Sequence, residues 1–403
     1  MDILKTLFEM TAFQELFNNP GYLLMLLIGA FLLYLGIVKK YEPLLLLPIA
    51  FGVILANLPG GEMAVVPVDL IKVDEHRYMN LLEIAYEYGI MNYLYYALLK
   101  TGFLPPLIFM GIGALTDFGP MLRNLRLAFF GAAAQLGIFI VLISAILIGF
   151  TAKEAASLGI IGGADGPTAI YTTIKLAPHL LGPIAIAAYS YMALVPVIIP
   201  FVAKLTCSKK ELSINMKKMD KLYPATYKIK NLTAVKIIFP IVLGIVISIF
   251  VPSSTPLLGM LLFGNLLKEI GSTVGRLTDA ATGTVLNTST IFLGLTVGAT
   301  MTADVFLKWD TILIVVGGFI AFAISIFGGI LAVKIVNLFA KKKINPLVGA
   351  TGLSAVPMAS RVANELAIKY DPSNHLLQYC MSSNISGVIG SAVAAGVLIS
   401  FLG

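Results

Sequence analysis

The apolar residues of this chain are gathered into long runs, and short polar segments separate one run from the next. A helix needs about 20 mostly apolar residues to cross a lipid bilayer. The pattern therefore predicts an all-α polytopic membrane protein. The predicted full or partial crossings are Tyr22–Val38, Pro43–Leu58, Tyr93–Leu115, Leu127–Phe150, Leu158–Leu176, Leu180–Val202, Ile237–Val251, Ile312–Val336, Asn345–Ile368 and Leu377–Phe401.

The composition agrees with this interpretation, since 58% of the 403 residues are hydrophobic and only 12% are charged. The formal net charge of +7 could suggest a nucleic-acid partner, but the basic residues lie in the links between apolar runs. Basic links on one side of the bilayer orient a polytopic protein. We therefore expect no nucleic-acid binding and assign these links to the cytoplasmic side. They are Lys39–Lys40, Arg123 with Arg126, residues 204–236, Lys268 with Arg276, and Lys341–Lys343.

With these links as markers, the chain must cross the bilayer an odd number of times between Phe150 outside and the link 204–236 inside. Two apolar segments lie in that interval, so one of them should return to its own side. The first, Leu158–Leu176, contains Gly162, Gly163, Gly166 and Pro167. Such residues interrupt helices and leave backbone groups that only protein or a polar cavity can satisfy at membrane depth. We predict a broken or re-entrant helix there.

A second interrupted segment, Asn345–Ile368, starts on the cytoplasmic side and so enters from the opposite face. It aligns with the first segment at an offset of 190 residues, and an upstream pair of segments aligns at an offset of 151. Aligned segments with inverted entry are typical of inverted-repeat transporters, whose substrate site lies where broken helices meet. The offset of 190 pairs Gly159 with Gly349, Gly162 with Gly352 and Pro167 with Pro357, and the offset of 151 pairs Pro105 with Pro256 and Gly113 with Gly264.

This alignment divides the chain into four predicted parts. Residues 1–100 form N-terminal spans with an external loop, 101–203 the first repeat, 204–236 the basic cytoplasmic link, and 237–403 the second repeat. The segment Met1–Gly21 has neither a basic start nor a small-residue cleavage site, so we expect no removable signal peptide.

Asp165 stands in the first interruption, inside Gly162-Gly163-Ala164-Asp165-Gly166-Pro167-Thr168. An intramembrane carboxylate is by default a candidate for ion or proton handling. The oxygen-bearing residues around the two interruptions favour a hard cation, and a single carboxylate suits sodium better than a divalent ion. Asp165 could instead carry a proton, and it could also cap the helix that begins at Gly166.

Arg361 is the second charge of interest, because it follows the second interruption in the chain. A cation there needs an anionic partner. It could hold a carboxylate substrate, or it could form a structural ion pair with Glu365, one helical turn away.

The first motif resembles the hallmark of the beta subunits of sodium-transporting biotin-dependent decarboxylases. In the second half, Asn345-Pro346, Gly349, Gly352, Ser354 and Arg361 resemble the family's other functional region, followed by the stretch from Asn384 to Ser391. Tyr191 falls where the family has a functional tyrosine. The likeness runs from about Gly102 to the C-terminus.

The resemblance implies a membrane enzyme that decarboxylates carboxybiotin and exports sodium while a proton is consumed. It implies that Asp165, Tyr191, Ser354 and Arg361 are catalytic, with Arg361 also holding the carboxybiotin carboxylate. It implies a sodium site of Asp165, Asn345, Gly349, Ser354 and Asn384.

The resemblance also implies a multi-pass protein of a prokaryotic cytoplasmic membrane, with an elevator-type motion in a homotrimer. The expected partners are a small single-span gamma subunit and the carboxyltransferase and biotin-carrier subunit, which supplies the biotin. The alternative is a sodium-coupled carboxylate secondary transporter, which would use the same repeats and the same arginine. The acid that feeds the complex stays open, because it binds another subunit.

Overall fold

The computed structural model describes residues 11–40, 43–74, 77–163, 165–224 and 229–403. The first ten residues of the predicted N-terminal part, and Ala164 of the predicted motif, lie outside this range. In the described chain, helices dominate and one two-stranded antiparallel hairpin joins β1 (Lys72–Asp74) to β2 (Arg77–Tyr78). The α-helices are α1 (Phe13–Asn18), α2 (Pro20–Ile37), α3 (Pro43–Ala56), α4 (Leu81–Leu94), α5 (Leu104–Leu115), α6 (Gly119–Arg123), α7 (Leu125–Ala134), α8 (Leu136–Ile148), α9 (Ala152–Gly159), α10 (Gly166–Leu176), α11 (Leu181–Thr206), α12 (Lys209–Leu212), α13 (Met216–Leu222), α14 (Leu232–Phe250), α15 (Thr255–Ile270), α16 (Gly275–Ala280), α17 (Leu286–Ala299), α18 (Ala303–Phe306), α19 (Trp309–Phe339), α20 (Leu347–Ala350), α21 (Met358–Tyr370) and α22 (Leu377–Leu402).

The helices are long and apolar enough for a multi-pass membrane protein, as the hydropathy pattern predicts. Within the described residues, six helical segments have the length and composition of membrane spans, and the number rises to eight if two bent helix pairs each count as one span. Many large apolar side chains on these helices are exposed, for example on α8 and α14. This exposed apolar surface is suited to contact with lipid.

One predicted span, Tyr93–Leu115, is bent in the structure. A π-helical stretch, Tyr95–Leu99, extends α4, and α5 leaves this helix at an angle of 66°. Gly102 at the corner has a φ of +78°, a backbone conformation that residues other than glycine rarely adopt. Pro105, in the first turn of α5, cannot continue a helix from the preceding residues but can start one.

Both predicted interruptions are present. In the first segment, α9 runs into a 3-10 turn, Ile160–Gly163, and a new helix, α10, begins only at Gly166. In the second segment, the short helix α20 ends at Ala350, and α21 begins at Met358 after a non-helical stretch. These breaks confirm the prediction that glycine and proline interrupt the two segments.

The helices that flank the two interruptions pack in an exchanged manner. The helix that follows the first interrupted segment, α11, packs along α19, which precedes the second segment. The helix that follows the second interrupted segment, α22, packs along α7, which lies before the first segment in the chain. Each interrupted segment is therefore held between helices of both halves of the chain.

Helices α5 and α15 approach each other closely through glycines. A Cβ atom on Gly113 would lie 2.8 Å from the carbonyl carbon of Leu261, and one on Gly264 would lie 2.8 Å from that of Met110. Small residues allow such backbone contact between membrane helices, where packing rather than water exclusion drives association. The two glycines are aligned at the offset of 151 and face each other.

The basic link between the two halves packs against the second half of the chain. Leu212 and Met216 are buried, at the end of α12 and the start of α13. Asn215 donates a hydrogen bond to Asp371 at 3.0 Å, beyond the end of α21. Hydrogen bonds from Asn215 and Ser373 hold the pKa of the Asp371 carboxyl group well below its usual range. The link is thus attached to the second half of the chain, because its few apolar and amide side chains find partners there.

Gly264→Ala should destabilise the protein, because the added methyl group meets backbone atoms that cannot move aside. We expect a loss of about 1–3 kcal/mol, as for overpacked cores, and a lower melting temperature in detergent. The control is Gly328→Ala on α19, where an added Cβ atom meets nothing within 4 Å. This control should be neutral or stabilising by up to about 1 kcal/mol. Equal melting temperatures for the two variants would contradict the close approach of α5 and α15.

Candidate functional site

Asp165 lies in the first interruption and caps α10. Its backbone is extended, and the side chain is only 4% exposed. One carboxylate oxygen accepts a hydrogen bond from the backbone N–H of Thr168 at 3.3 Å, and the other accepts one from the Thr168 hydroxyl at 2.7 Å. Pro167 follows in the first turn, where its missing N–H group costs nothing. The capping role anticipated for Asp165 is confirmed.

No basic side chain of the described residues forms an ion pair with Asp165. The positive end of the α10 dipole partly offsets a negative charge there. An ionised carboxylate at this burial still lacks a full counter-charge, and such a group is costly without one. The site can therefore accept a cation or a proton.

The two interruptions meet directly. The backbone N–H of Ser354, in the second interruption, donates a hydrogen bond to the carbonyl oxygen of Gly163 at 2.9 Å. The Ser354 hydroxyl lies 2.7 Å from the hydroxyl of Ser391 and 3.1 Å from the carbonyl oxygen of Gly387, both on α22. The structure thus brings Ser354 next to the break that carries Asp165.

Gln135 forms a third wall of this junction, at the start of α8. Its amide nitrogen donates to the carbonyl oxygens of Gly131 and Gly352, each at 3.1 Å. Its amide oxygen is buried and accepts no hydrogen bond in the described part of the protein. A Cβ atom on Gly163 would lie 3.4 Å from that oxygen, so the free acceptor faces the first break.

Asn384 also contacts the second interruption, from α22. Its amide nitrogen donates to the carbonyl oxygen of Leu353, and its amide oxygen lies 3.3 Å from the Ser360 hydroxyl. Among the predicted site residues, Asp165, Ser354 and Asn384 are therefore gathered around the meeting point of the breaks.

Asn345 and Gly349 are buried but serve other contacts in this structure. Asn345 donates to the carbonyl oxygens of Leu212 at 2.8 Å and Ile214 at 3.0 Å, which anchors the basic link to the start of the second interrupted segment. A Cβ atom on Gly349 would collide with the backbone of Gly329, so this glycine allows α19 to come close. Their roles in ion binding stay predictions.

Tyr191 and Tyr189 lie on different faces of α11. The Tyr191 hydroxyl donates to the carbonyl oxygen of Val315, and its ring packs edge-on against Phe319 at 5.8 Å. Tyr189 instead packs against the Asp165 break, since a Cβ atom on Gly166 would lie 2.6 Å from Cζ of its ring. The Tyr189 hydroxyl is buried and has no hydrogen-bond partner among the described residues. The role predicted for Tyr191 is untested, and Tyr189 joins the candidates.

Arg361 lies on α21 with its side chain exposed. In the described part of the chain it forms no ion pair, and the anticipated pair with Glu365 does not occur. The guanidinium is therefore open to an anion that reaches α21. Lys369, in the last turn of the same helix, is also exposed.

Sequence reasoning missed Gln135 and Tyr189, and one signal could have found Gln135. A glutamine in the predicted span Leu127–Phe150 is an uncompensated polar group in a very apolar run. Buried polar groups are nearly always hydrogen-bonded, so such a residue indicates a partner inside the membrane. Tyr189 has no comparable signal, because tyrosines also occur on α11 at positions without this contact.

Comparisons with known proteins agree with the resemblance. Residues 21–402 match the family described as the Na⁺-transporting oxaloacetate decarboxylase beta subunit. The chain is similar to the methylmalonyl-CoA decarboxylase subunit beta of Propionigenium modestum, with 49% identity over 96% of each chain. It is similar to the oxaloacetate decarboxylase beta chain 2 of Salmonella typhi, with 44% identity over 95% of this chain and 96% of the relative. It is also similar to the glutaconyl-CoA decarboxylase subunit beta of Acidaminococcus fermentans, with 46% identity over 95% of this chain and 94% of the relative.

The family match covers most of the first hundred residues as well as the motifs, so the likeness is wider than the sequence motifs alone indicate. The comparisons confirm the predicted resemblance to the decarboxylase beta subunits, and they also confirm the prediction of a multi-pass membrane protein. The chain belongs to the beta-subunit family of the sodium-translocating decarboxylases.

Proposed function

We propose that this chain decarboxylates carboxybiotin presented by a partner subunit, exports sodium in the same cycle, and consumes a proton. The observation that carries the proposal is the direct contact of the two helix breaks beside buried Asp165, through Ser354 N–H and the Gly163 carbonyl group. Family membership supports sodium as the transported ion. The names of the relatives leave methylmalonyl-CoA, oxaloacetate and glutaconyl-CoA as candidate sources of the carboxyl group.

The environment of Asp165 supports a site that holds either sodium or a proton. Removing a charge from water costs several kcal/mol even after relaxation of the protein. A sodium ion or a proton on Asp165 removes that cost, and the two compete for the same carboxylate. Sodium binding would therefore displace a proton, which can then reach the biotin nitrogen as carbon dioxide is lost. This competition links ion transport to the chemistry.

The donors near Asp165 suit sodium. The Thr168 hydroxyl, the Ser354 hydroxyl and the amide oxygen of Gln135 are neutral oxygen donors. Hard cations prefer oxygen ligands. One carboxylate with neutral oxygens balances a single positive charge. We propose Gln135 and Tyr189 as additional members of the site predicted from the sequence, which included Asn345, Gly349 and Asn384.

The packing around the breaks supports inverted repeats. Gly162 packs against α19, where a Cβ atom would lie 3.3 Å from the carbonyl oxygen of Ala321. Gly352, its partner at the offset of 190, packs against α7, where a Cβ atom would lie 2.8 Å from the carbonyl oxygen of Phe130. Each break thus contacts the helix that precedes the other, as expected for two repeats related by a two-fold axis. On this arrangement we propose an elevator-type motion of the paired breaks.

The partners proposed for the chain are two further copies of itself, a single-span gamma subunit, and the carboxyltransferase and biotin-carrier subunit. Carboxybiotin would approach the exposed guanidinium of Arg361, which can hold a carboxylate by two parallel hydrogen bonds. Moving one sodium ion against the membrane potential needs about 2.3 kcal/mol per 100 mV, which a decarboxylation can supply. The chemistry needs no nucleophile from this chain, since desolvation and a proton suffice.

Asp165→Asn should abolish both carboxybiotin decarboxylation and sodium uptake into inverted vesicles, because the amide can neither exchange a proton nor neutralise sodium. We expect a loss of at least about a hundredfold, the scale of removing general acid–base catalysis. Asp304→Asn, which changes an exposed acid on α18, is the matched control and should keep both activities. Either activity persisting in Asp165→Asn would refute the proposed coupling.

Gln135→Leu should raise the sodium concentration needed for half-maximal decarboxylation, because a buried oxygen donor is lost. Losing a ligand that contributes about 1.4 kcal/mol weakens binding roughly tenfold, so the sodium concentration should rise by that factor. The measurement is the sodium dependence of carboxybiotin breakdown by the purified protein. Ser144→Ala, at an exposed position of the same helix α8, is the control. A purely structural role would lower the melting temperature and leave the sodium dependence unchanged, which would contradict Gln135 as a ligand.

Arg361→Gln should raise the KM for free carboxybiotin by roughly ten- to a hundredfold, the cost of losing a charged hydrogen bond of about 1.5–3 kcal/mol. Lys369→Gln, on the same helix and also exposed, should leave KM unchanged.

The same assay separates the enzyme from a sodium-coupled carboxylate transporter. Sodium-dependent dicarboxylate uptake without sodium-stimulated carboxybiotin breakdown would favour the transporter.

A further inference from the structure

A pocket lies at the basic end of the helices, and Phe130, which contacts the second break at Gly352, forms part of its wall. It has a volume of about 810 Å³. Its walls come from the α6–α7 corner, the C-terminal end of α19 with the link that follows, the cytoplasmic link around α13, and Tyr379 on α22. Elements of both halves of the chain thus enclose it.

The pocket carries an excess of positive charge. Arg123, Arg126, Lys341 and Lys342 line it, together with a single acid, Asp220. Lys342 pairs with Asp220 at 2.6 Å, and the Tyr379 hydroxyl donates to the same carboxylate at 2.5 Å. Within the part of the chain that the structure describes, the other three basic side chains form no ion pair.

Most of the remaining wall is apolar, and part of it is exposed at the surface of the helices. Leu125 and Phe129 line the pocket on α7, yet they are 62% and 60% exposed. Beside them, α19 ends in Phe339, which is 85% exposed. The pocket therefore combines unpaired cations at the polar end of two spans with apolar side chains that continue along those spans.

We propose that this pocket binds the headgroup of an anionic phospholipid, whose acyl chains lie along α7 and α19. Basic pockets at the ends of membrane helices attract anionic headgroups, and arginine matches phosphate with a two-pronged hydrogen bond. The apolar wall favours a lipid over a soluble anion, because a free phosphate would leave this wall without a partner. The headgroup would join the α6–α7 corner of the first repeat to the link that leads into the second break.

The test is lipid retention by the purified full-length protein, measured by native mass spectrometry after incorporation in bilayer discs of phosphatidylglycerol and phosphatidylcholine. The variant combines Arg123→Gln, Arg126→Gln and Lys341→Gln. Each basic residue near a membrane surface contributes about fivefold in affinity, so the expected loss for phosphatidylglycerol is on the order of a hundredfold. Phosphatidylcholine retention should not change.

The matched control removes three exposed basic charges that do not line the pocket, by Lys204→Gln, Lys209→Gln and Lys210→Gln, and it should retain phosphatidylglycerol like the unmodified protein. Lys341→Gln alone, with a smaller loss of roughly fivefold, keeps the test valid if the triple variant fails to fold. Equal phosphatidylglycerol retention by variant and control would overturn the proposal. The proposal would also be overturned if the protein retained inorganic phosphate as well as it retains phosphatidylglycerol. It would be overturned too if the triple variant bound an acidic partner protein more weakly while its lipid retention was unchanged.

Discussion

A chain that breaks its helices inside a membrane must satisfy the freed backbone groups within the protein, since lipid offers no hydrogen bonds. Here each break supplies part of what the other needs. The N–H group of Ser354 in one break bonds to the carbonyl group of Gly163 in the other. The amides of Gln135 and Asn384 then bind carbonyl oxygens of the second break, at Gly352 and Leu353. The two interruptions are stable because they meet.

This meeting requires very close approach of backbones, which explains the glycines around it. Gly352 lies against α7, Gly387 against the second break, and Gly349 against α19, and at each a side chain would collide with backbone atoms. Glycines allow the same close backbone contact between α5 and α15. Glycine normally weakens a helix by about 1 kcal/mol, so its presence inside spans indicates that contact outweighs helix propensity at these points.

The close packing also leaves polar atoms that the protein does not satisfy by itself. The amide oxygen of Gln135 and the hydroxyl of Tyr189 are buried without hydrogen-bond partners in the described chain, and Asp165 has no basic partner there. Buried polar groups of this kind are rare and costly. In the proposed cycle, sodium or a proton binds at Asp165. At the polar end of the helices, the basic pocket presents the complementary case, since Arg123, Arg126 and Lys341 form no ion pair with the described residues.

The sequence alone determined the membrane class, the two interrupted segments and the acid within the first. Hydropathy, glycine and proline are local signals. A carboxylate within an apolar run is also recognised from the neighbouring residues in the sequence alone. The motifs around Asp165 and Arg361 also sufficed to recognise the family, because they are contiguous in the chain. Ser354 and Asn384 were found in the same way, and the structure places both at the junction of the breaks.

Only the tertiary structure decided which residues share the site. Gln135, Asp165, Ser354 and Ser391 come from four separate segments, and no periodicity or spacing relates them. Tyr189 and Tyr191 are two residues apart, yet only the packing of α11 shows that Tyr189 contacts the Asp165 break while Tyr191 contacts α19. The direction of a side chain on a helix within a bundle depends on its neighbours, and these are set by contacts between distant segments.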